Sequence, residues 1–370
     1  MRKARFLSPQ AESSSATYHC VSRVVDRRFV LGRKEKDVFV RMMREYEDFC
    51  GVQVLAFCIM SNHFHILVEV PPKVKDSPVE MSDEEFLRKM KAMYSPQHYR
   101  DVEQMIERFR SRRQGKAAEE FKAKYTCRMH DLSEFMKGLK QKFTQWYNAA
   151  NGRRGTLWEG RFKSVLVEDG YAARVMAAYI DLNPIRAGMV RKPEDYKWCS
   201  YGEAMMPNEK KNAKARAGLC KVLDALKKVG GNGQSTEADS FLTTWEGGVA
   251  DAYRMMLFAD GEEAFEETIN KGEERKLKRV RKGFKRKDVE KTFAKGGKLS
   301  VGETLRCRVR YFTDGMTVGS KKFVNDVFSD AKERFGEKRT SGARPMRGVG
   351  WEKKKAKLFS MRALVKRRLG

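Results

Sequence analysis

Two imidazoles separated by one residue, His63-Phe64-His65, are the sharpest chemical signal in this chain of 370 residues. On a β-strand side chains alternate between faces, so the two rings project from one face about 6.5 Å apart while Phe64 turns into the core. Two imidazoles make half a metal site. A third ligand must come from another element, and open positions must remain if the ion is to act on a substrate. Two ordinary strand histidines, one of them held by a backbone carbonyl, give the same pattern. Scarcity favours the ion, because the chain has only five histidines. The second signal is Tyr179-Ile180-Asp181-Leu182-Asn183-Pro184, in which Tyr179 and Asn183 stand four apart and stack on one helix face. An amide oxygen one turn from a phenol can complete a metal shell while the phenol sits beside the same ion. That arrangement would let a cation polarise a phosphodiester as the tyrosine attacks it, giving a covalent phosphotyrosine. Taken singly, Tyr179 also reads as a half-buried packing residue and Asn183 as a helix stop ahead of proline. Packing gives no reason for the four residues to occur together.

These residues need elements to hold them. Residues 18–25 (YHCVSRVV) read as a first strand, and residues 35–50 carry Val38, Met42, Tyr46 and Phe49 at helical spacing. Residues 52–60 are apolar nearly throughout, as a strand buried on both faces would be, and residues 63–70 (HFHILVEV) continue the pattern until Pro71-Pro72. Residues 73–130 turn charged and Met-rich, with a capping box at Ser82-x-x-Glu85, and read as a helical insertion. A second capping box, Asp131-x-x-Glu134, opens a helix with Leu132, Phe135, Met136, Leu139, Phe143, Trp146 and Tyr147 on its apolar side. Val165-Leu166-Val167 suggest a strand, Asp169 can cap the next helix, and Pro184 is expected to end it. The order β-α-β-β-(insertion)-α-β-α over residues 17–190 predicts an α+β sandwich close to ferredoxin-like, with helices covering one face of an antiparallel sheet. As nucleophiles, Tyr147 belongs to an apolar stripe, and Tyr171, two turns before Tyr179, lacks an amide four residues on. Tyr179 is therefore preferred.

The charge balance bounds the partners. Lys and Arg number 77 against 49 Asp and Glu, a net charge of +28. Such an excess attracts polyanions, and the 22 Phe, 12 Tyr and 5 Trp that accompany it favour nucleic acid over a lipid surface. No stretch approaches the ~18 uninterrupted apolar residues of a membrane span. The seven cysteines form no C-x-x-C pair and indicate neither a disulfide framework nor a zinc cage. A soluble, cytoplasmic protein is expected. Residues 1–15 form a Ser-rich lead, 16–200 a first domain, and 201–370 a basic, mostly helical C-terminal region expected to bind nucleic acid.

Four motifs in order, YHCVSR, SNHFHILVEV, GTLWEGRFKS and YIDLNPIRAGMV, resemble those of the REP-associated tyrosine transposases, a branch of the single-tyrosine HUH transposase superfamily. The resemblance spans roughly residues 16–200. It implies a ferredoxin-like single-stranded DNA endonuclease and strand transferase, acting at hairpin-forming REP-like repeats with Mg²⁺ or Mn²⁺ through a 5′-phosphotyrosine, as a monomer or homodimer. By motif position it makes His63 and His65 the metal-binding histidines, with Phe64 as the hydrophobic residue between them. It makes Tyr179 the nucleophile and Asn183 an added ligand. The charged insertion and the C-terminal region fall outside the pattern.

For nucleic-acid contacts, Arg161 and Lys163 beside Trp158 and Phe162 combine cationic and stacking groups, and Arg23 closes the first motif. Arg279, Arg281, Lys285 and Arg286 belong to the dense basic run 275–287, which also reads as a solvated linker. The alternative is a transposase-derived protein that binds structured DNA or RNA without cutting it.

Overall fold

The apolar strand runs of the first 70 residues pair with one another to form the centre of the molecule. The structure, a computed structural model, describes residues 6–224, 245, 249–260, 264–268, 276–281, 310–335, 339–346 and 358–362. Its elements begin with β1 (Ala16–Arg23), α1 (Arg33–Cys50), β2 (Gln53–Ile59) and β3 (His63–Val70). Three helices follow, α2 (Asp83–Met93), α3 (Pro96–Ser111) and α4 (Gly115–Thr126), then α5 (Leu132–Ala150), β4 (Lys163–Val167), α6 (Tyr171–Asp181) and α7 (Asn183–Arg186). Beyond these lie α8 (Ser200–Ala204), α9 (Glu209–Asp224), α10 (Ala250–Asp260), β5 (Ala264–Thr268) and β6 (Lys276–Arg281). The last are α11 (Arg310–Thr313), β7 (Thr317–Gly319), α12 (Lys321–Asp330), β8 (Arg344–Pro345) and β9 (Phe359–Met361).

The fold is α+β with a mixed sheet. Its strand order is β2-β3-β1-β4-β7-β9-β8, and β5 pairs with β6 separately. The first four strands are antiparallel, with Arg23 opposite His63 and Val21 opposite His65. β7 then joins β4 in parallel, so the expectation of an all-antiparallel sheet is corrected. Among the described residues of the C-terminal region helix predominates over strand, and β7, β8 and β9 extend the central sheet. Strands of two or three residues carry too little periodicity to be read from sequence.

Helices cover both faces rather than one, because the central strands are apolar on both. On the first face Phe64 meets Phe39 of α1 at 4.8 Å between ring centroids and Trp158 at 5.3 Å, and Phe39 meets Phe143 of α5 at 5.0 Å. The aromatic cluster anchors the strand between its two histidines. On the second face α6 is buried from Ala172 to Asp181, and its alanines let it lie close to β2, β3 and β4. Asp181, wholly buried, accepts hydrogen bonds from Ser200 Oγ (2.7 Å), Tyr253 Oη (2.7 Å) and the Tyr201 amide (3.2 Å). These bonds pin the end of α6 to α8 and α10. Burial still pushes the Asp181 carboxyl up to about 6.

Both capping-box signatures open helices through their N-caps: Ser82 accepts from the Glu85 amide, and Asp131 from those of Ser133 and Glu134. Asp169 does not cap α6. Gly170 starts that helix at φ 78°, and Asp169 instead accepts from Thr17 Oγ1 at 2.7 Å. Nor does Pro184 simply end the helix, because it opens the short α7. On the same face α9 approaches β2 so closely that a Cβ at Gly218 would stand 2.6 Å from the Val54 carbonyl oxygen and 2.8 Å from that of Leu55. Gly218→Ala is therefore expected to cost about 3 kcal/mol through overpacking against backbone, read as a lowered urea midpoint at unchanged slope.

Candidate active site

Turning Phe64 into the aromatic cluster sends His63 and His65 to the second face, the one that α6 covers. The two rings lie 5.1 Å apart between centroids, and the Tyr179 ring lies 5.7 Å from His65. His63, His65, Tyr179 and Asn183 line one cleft of about 320 Å³, together with Arg23, Glu159, Arg161, Lys163 and Asp314. Tyr147 is in the aromatic cluster of the opposite face, and Tyr171 stacks under Arg174. Tyr179 is the one tyrosine in the described lining of this cleft.

Tyr179 is held on several sides. Phe312 stacks on its ring at 4.7 Å, the edges of His19 and His65 meet it, and the Arg186 guanidinium lies 5.3 Å from its centroid. The residue is only 2 % exposed. Burial pushes its hydroxyl up to about 12, with the charges of Arg186 and Arg23 pulling the other way. Asn183 donates both amide hydrogens to main-chain oxygens, those of Tyr179 (3.0 Å) and Ile180 (3.1 Å). Its Oδ1 is the side-chain atom left to accept or ligate.

The histidines have defined proton positions. Asn62 donates from Nδ2 to the Arg27 carbonyl (2.8 Å), which turns its Oδ1 to the Nδ1–H of His63 (2.7 Å). His63 is thereby protonated on Nδ1 and carries its lone pair on Nε2. Burial, then the neighbouring Arg23, pulls its pKa down to about 4, so the ring is neutral at ordinary pH. His65 is also depressed, chiefly by burial and then by the charges of His19 and His63. Neutral imidazole is the form that ligates a metal.

His19 was missed by sequence reasoning. It sits on β1, two residues from the partner of His65 and on the same face, wholly buried. Its Nε2 lies 3.0 Å from His65 Nδ1, and its Nδ1 lies 2.7 Å from the Phe312 carbonyl oxygen. Three of the five histidines thus converge here, and the YHC of the first strand was the available signal.

Of the expected nucleic-acid contacts, Arg23, Arg161 and Lys163 do line the cleft, with Lys163 paired to Asp314 at 2.8 Å. Trp158 and Phe162 are buried, Trp158 against Phe64 and Phe143, so the stacking part of that expectation is corrected to core packing. Arg279 and Arg281 fall on β6. Lys285 and Arg286 lie outside the described residues. Among the described residues no group of three or more His, Cys, Asp or Glu is arranged for a metal ion, and no helix is long and apolar enough to cross a membrane.

Comparison with known proteins gives a match over part of the chain. Residues 12–113 match the family described as Transposase IS200 like. That span includes His19, His63 and His65 and stops before Tyr179. No curated protein sequence matches the chain. A solved structure of a REP-associated tyrosine transposase bound to a REP hairpin is similar at 12 % identity, covering 55 % of this chain and 84 % of that one, with a TM-score of 0.33.

Proposed function

We propose that this protein is a divalent-metal-dependent endonuclease and strand transferase for single-stranded DNA at hairpin-forming, REP-like repeats, with Tyr179 as its nucleophile. The observation that carries this reading is the placement of the Tyr179 ring 5.7 Å from His65 in a cleft that His63 and Asn183 also line. The order β2-β3-β1-β4, with α1 and α5 against one face, supports reading the centre of the sheet as ferredoxin-like.

The donor set fits an ion held partly by substrate. His63 and His65 offer Nε2 lone pairs and Asn183 an amide oxygen, leaving room for oxygens of a phosphate. A bound divalent cation would supply positive charge for a non-bridging oxygen of the scissile phosphate. Two nitrogen ligands suit Mn²⁺ better than Mg²⁺, which prefers oxygen. Arg23, Arg161 and Lys163 bring positive charge to the same cleft and would seat the flanking phosphates. Next to it a groove of about 970 Å³ runs along α5, sharing Gly160 and Arg161 with the cleft and carrying Lys137, Lys140 and Gln141 on its wall. A strand entering the cleft has this groove as its continuation.

Tyr179 presents its phenol oxygen for in-line attack on phosphorus. The O–P bond forms as the bond to the 3′ oxygen breaks; the phenolic proton passes to water, and the 3′ oxygen takes one up. The product is a 5′-phosphotyrosine and a free 3′ hydroxyl, and attack by a 3′ hydroxyl on that ester rejoins strands without an external energy source. Nucleophile and histidines come from one chain, so one copy holds the whole residue set.

The test is to incubate the protein with labelled single-stranded hairpin oligonucleotides and Mn²⁺ and to resolve the products under denaturing conditions. A covalent protein–DNA band is expected. Tight hairpin binding with no band at any divalent ion would replace this reading with that of a non-cutting DNA binder.

A further inference from the structure

We infer that His19, anchored on the main-chain carbonyl of Phe312, is a positioning residue that fixes the tautomer of His65 so that its Nε2 faces the cleft as a lone pair. The inference rests on the metal-site reading above and adds to it a role for His19, which the donor set does not include, and a segment that lies outside the four motifs.

The argument starts from an atom that can only accept. The Phe312 carbonyl oxygen lies 2.7 Å from His19 Nδ1, so that nitrogen carries the proton. Buried neutral His19 then has a bare Nε2, which can only accept. His65 Nδ1 stands 3.0 Å from it with the two rings within 10° of coplanar, the geometry of an in-plane N–H···N bond. His65 is therefore protonated on Nδ1, and its proton-free nitrogen is Nε2. Reversing the tautomer of His19 would set a nitrogen lone pair against the carbonyl and two N–H groups against each other, and reversing that of His65 would set two nitrogen lone pairs against each other, at full burial, where an unsatisfied polar group is costly.

His63 reaches the same state by a parallel route. Its Nδ1–H is taken by Asn62, itself oriented by the Arg27 carbonyl at 2.8 Å. Two relays, each ending on a main-chain oxygen, therefore give both histidines the same tautomer. They differ in reach. The His63 relay is local, whereas the His65 relay runs to residue 312, whose ring also stacks on Tyr179 at 4.7 Å. One residue of the C-terminal region thus orients a metal-ligating imidazole through its backbone and the attacking phenol through its side chain. A histidine that ligates a metal commonly donates its other N–H to such a partner, and losing the partner costs about 10–100-fold in metal affinity.

The experiment reads tautomers first and affinity second. In metal-free wild-type protein labelled with ¹⁵N-histidine, long-range ¹H–¹⁵N spectra should show His65 and His19 each as the Nδ1–H form. In His19→Leu, which has no acceptor, His65 should become a mixture of tautomers. Mn²⁺ affinity, followed by electron paramagnetic resonance, should fall by about 10–100-fold. His19→Gln keeps both an acceptor and a donor, and should restore the single tautomer and most of the affinity. A wild-type His65 protonated on Nε2 overturns the inference without any variant, so it stays testable if His19→Leu fails to fold. An unchanged tautomer and unchanged affinity in folded His19→Leu also overturn it. Wild-type protein that shows the tautomer pattern yet binds no Mn²⁺ supports the relay and sinks the metal-site reading instead.

Discussion

Tyr179→Phe should bind hairpin DNA as the wild type does and yield no covalent adduct, with cleavage lowered at least ~10³-fold, about 4 kcal/mol of barrier. The change is clean because the ring, not the oxygen, makes the packing. Phe312 stacking and the two histidine edges all engage the aromatic face and rim. Tyr147→Phe is the control, since Tyr147 packs with Phe143 on the opposite face of the sheet and its loss should leave the adduct intact. Denaturing electrophoresis on a labelled oligonucleotide checks both. An adduct of wild-type yield from Tyr179→Phe would remove that residue from the role and send the search to another hydroxyl.

His63→Ala should abolish the stimulation of cleavage by Mn²⁺ while leaving hairpin affinity within about twofold, because phosphate contacts carry most of the binding. A cleavage loss of ~10²–10³-fold is expected, of the order seen when charge stabilisation of a transition state is removed. The pH dependence has a definite sign. With the His63 pKa held near 4 by burial and Arg23, protons do not compete for the ring between pH 8 and pH 6. Competition sets in only as pH falls toward 4, where protonation removes the lone pair. Mn²⁺ titrations across that range check this, and an affinity that already drops tenfold between pH 7 and 6 would contradict the neutral, buried state assigned to the ring.

Local chemistry was legible in the residue order and long-range pairing was not. HFH could be read because one strand alone fixes the face of both rings, and the caps at Ser82 and Asp131 could be read because each bonds an amide two or three residues away. Asp169 has the same local chemistry. A hydroxyl 152 positions back in the chain, that of Thr17, takes its carboxylate, and nothing near residue 169 announces this. His19 was passed over for a related reason. Its closeness to His65 is a matter of register between β1 and β3, which no spacing within either strand reports. The second layer of helices was half visible. Residues 52–60 looked apolar on both faces, which already calls for two covers, but alternation alone does not say which helix supplies the second one. Trp158 and Phe162 misled because an aromatic beside a cation looks the same whether it faces water or the core.

The bond between His19 and Phe312 joins positions 293 apart. On the ribosome, the strand bearing His63 and His65 and the helix bearing the Tyr179 phenol emerge first. At about 5–20 residues per second, the segment that completes their surroundings follows only after a delay on the order of ten seconds. A nascent chain that stops after α9 therefore carries His63, His65 and Tyr179 without the oxygen that orients His19 or the ring that braces the phenol. Under the proposed function, cutting waits until residue 312 has been made, and abortive products released before it are expected to be poor nucleases.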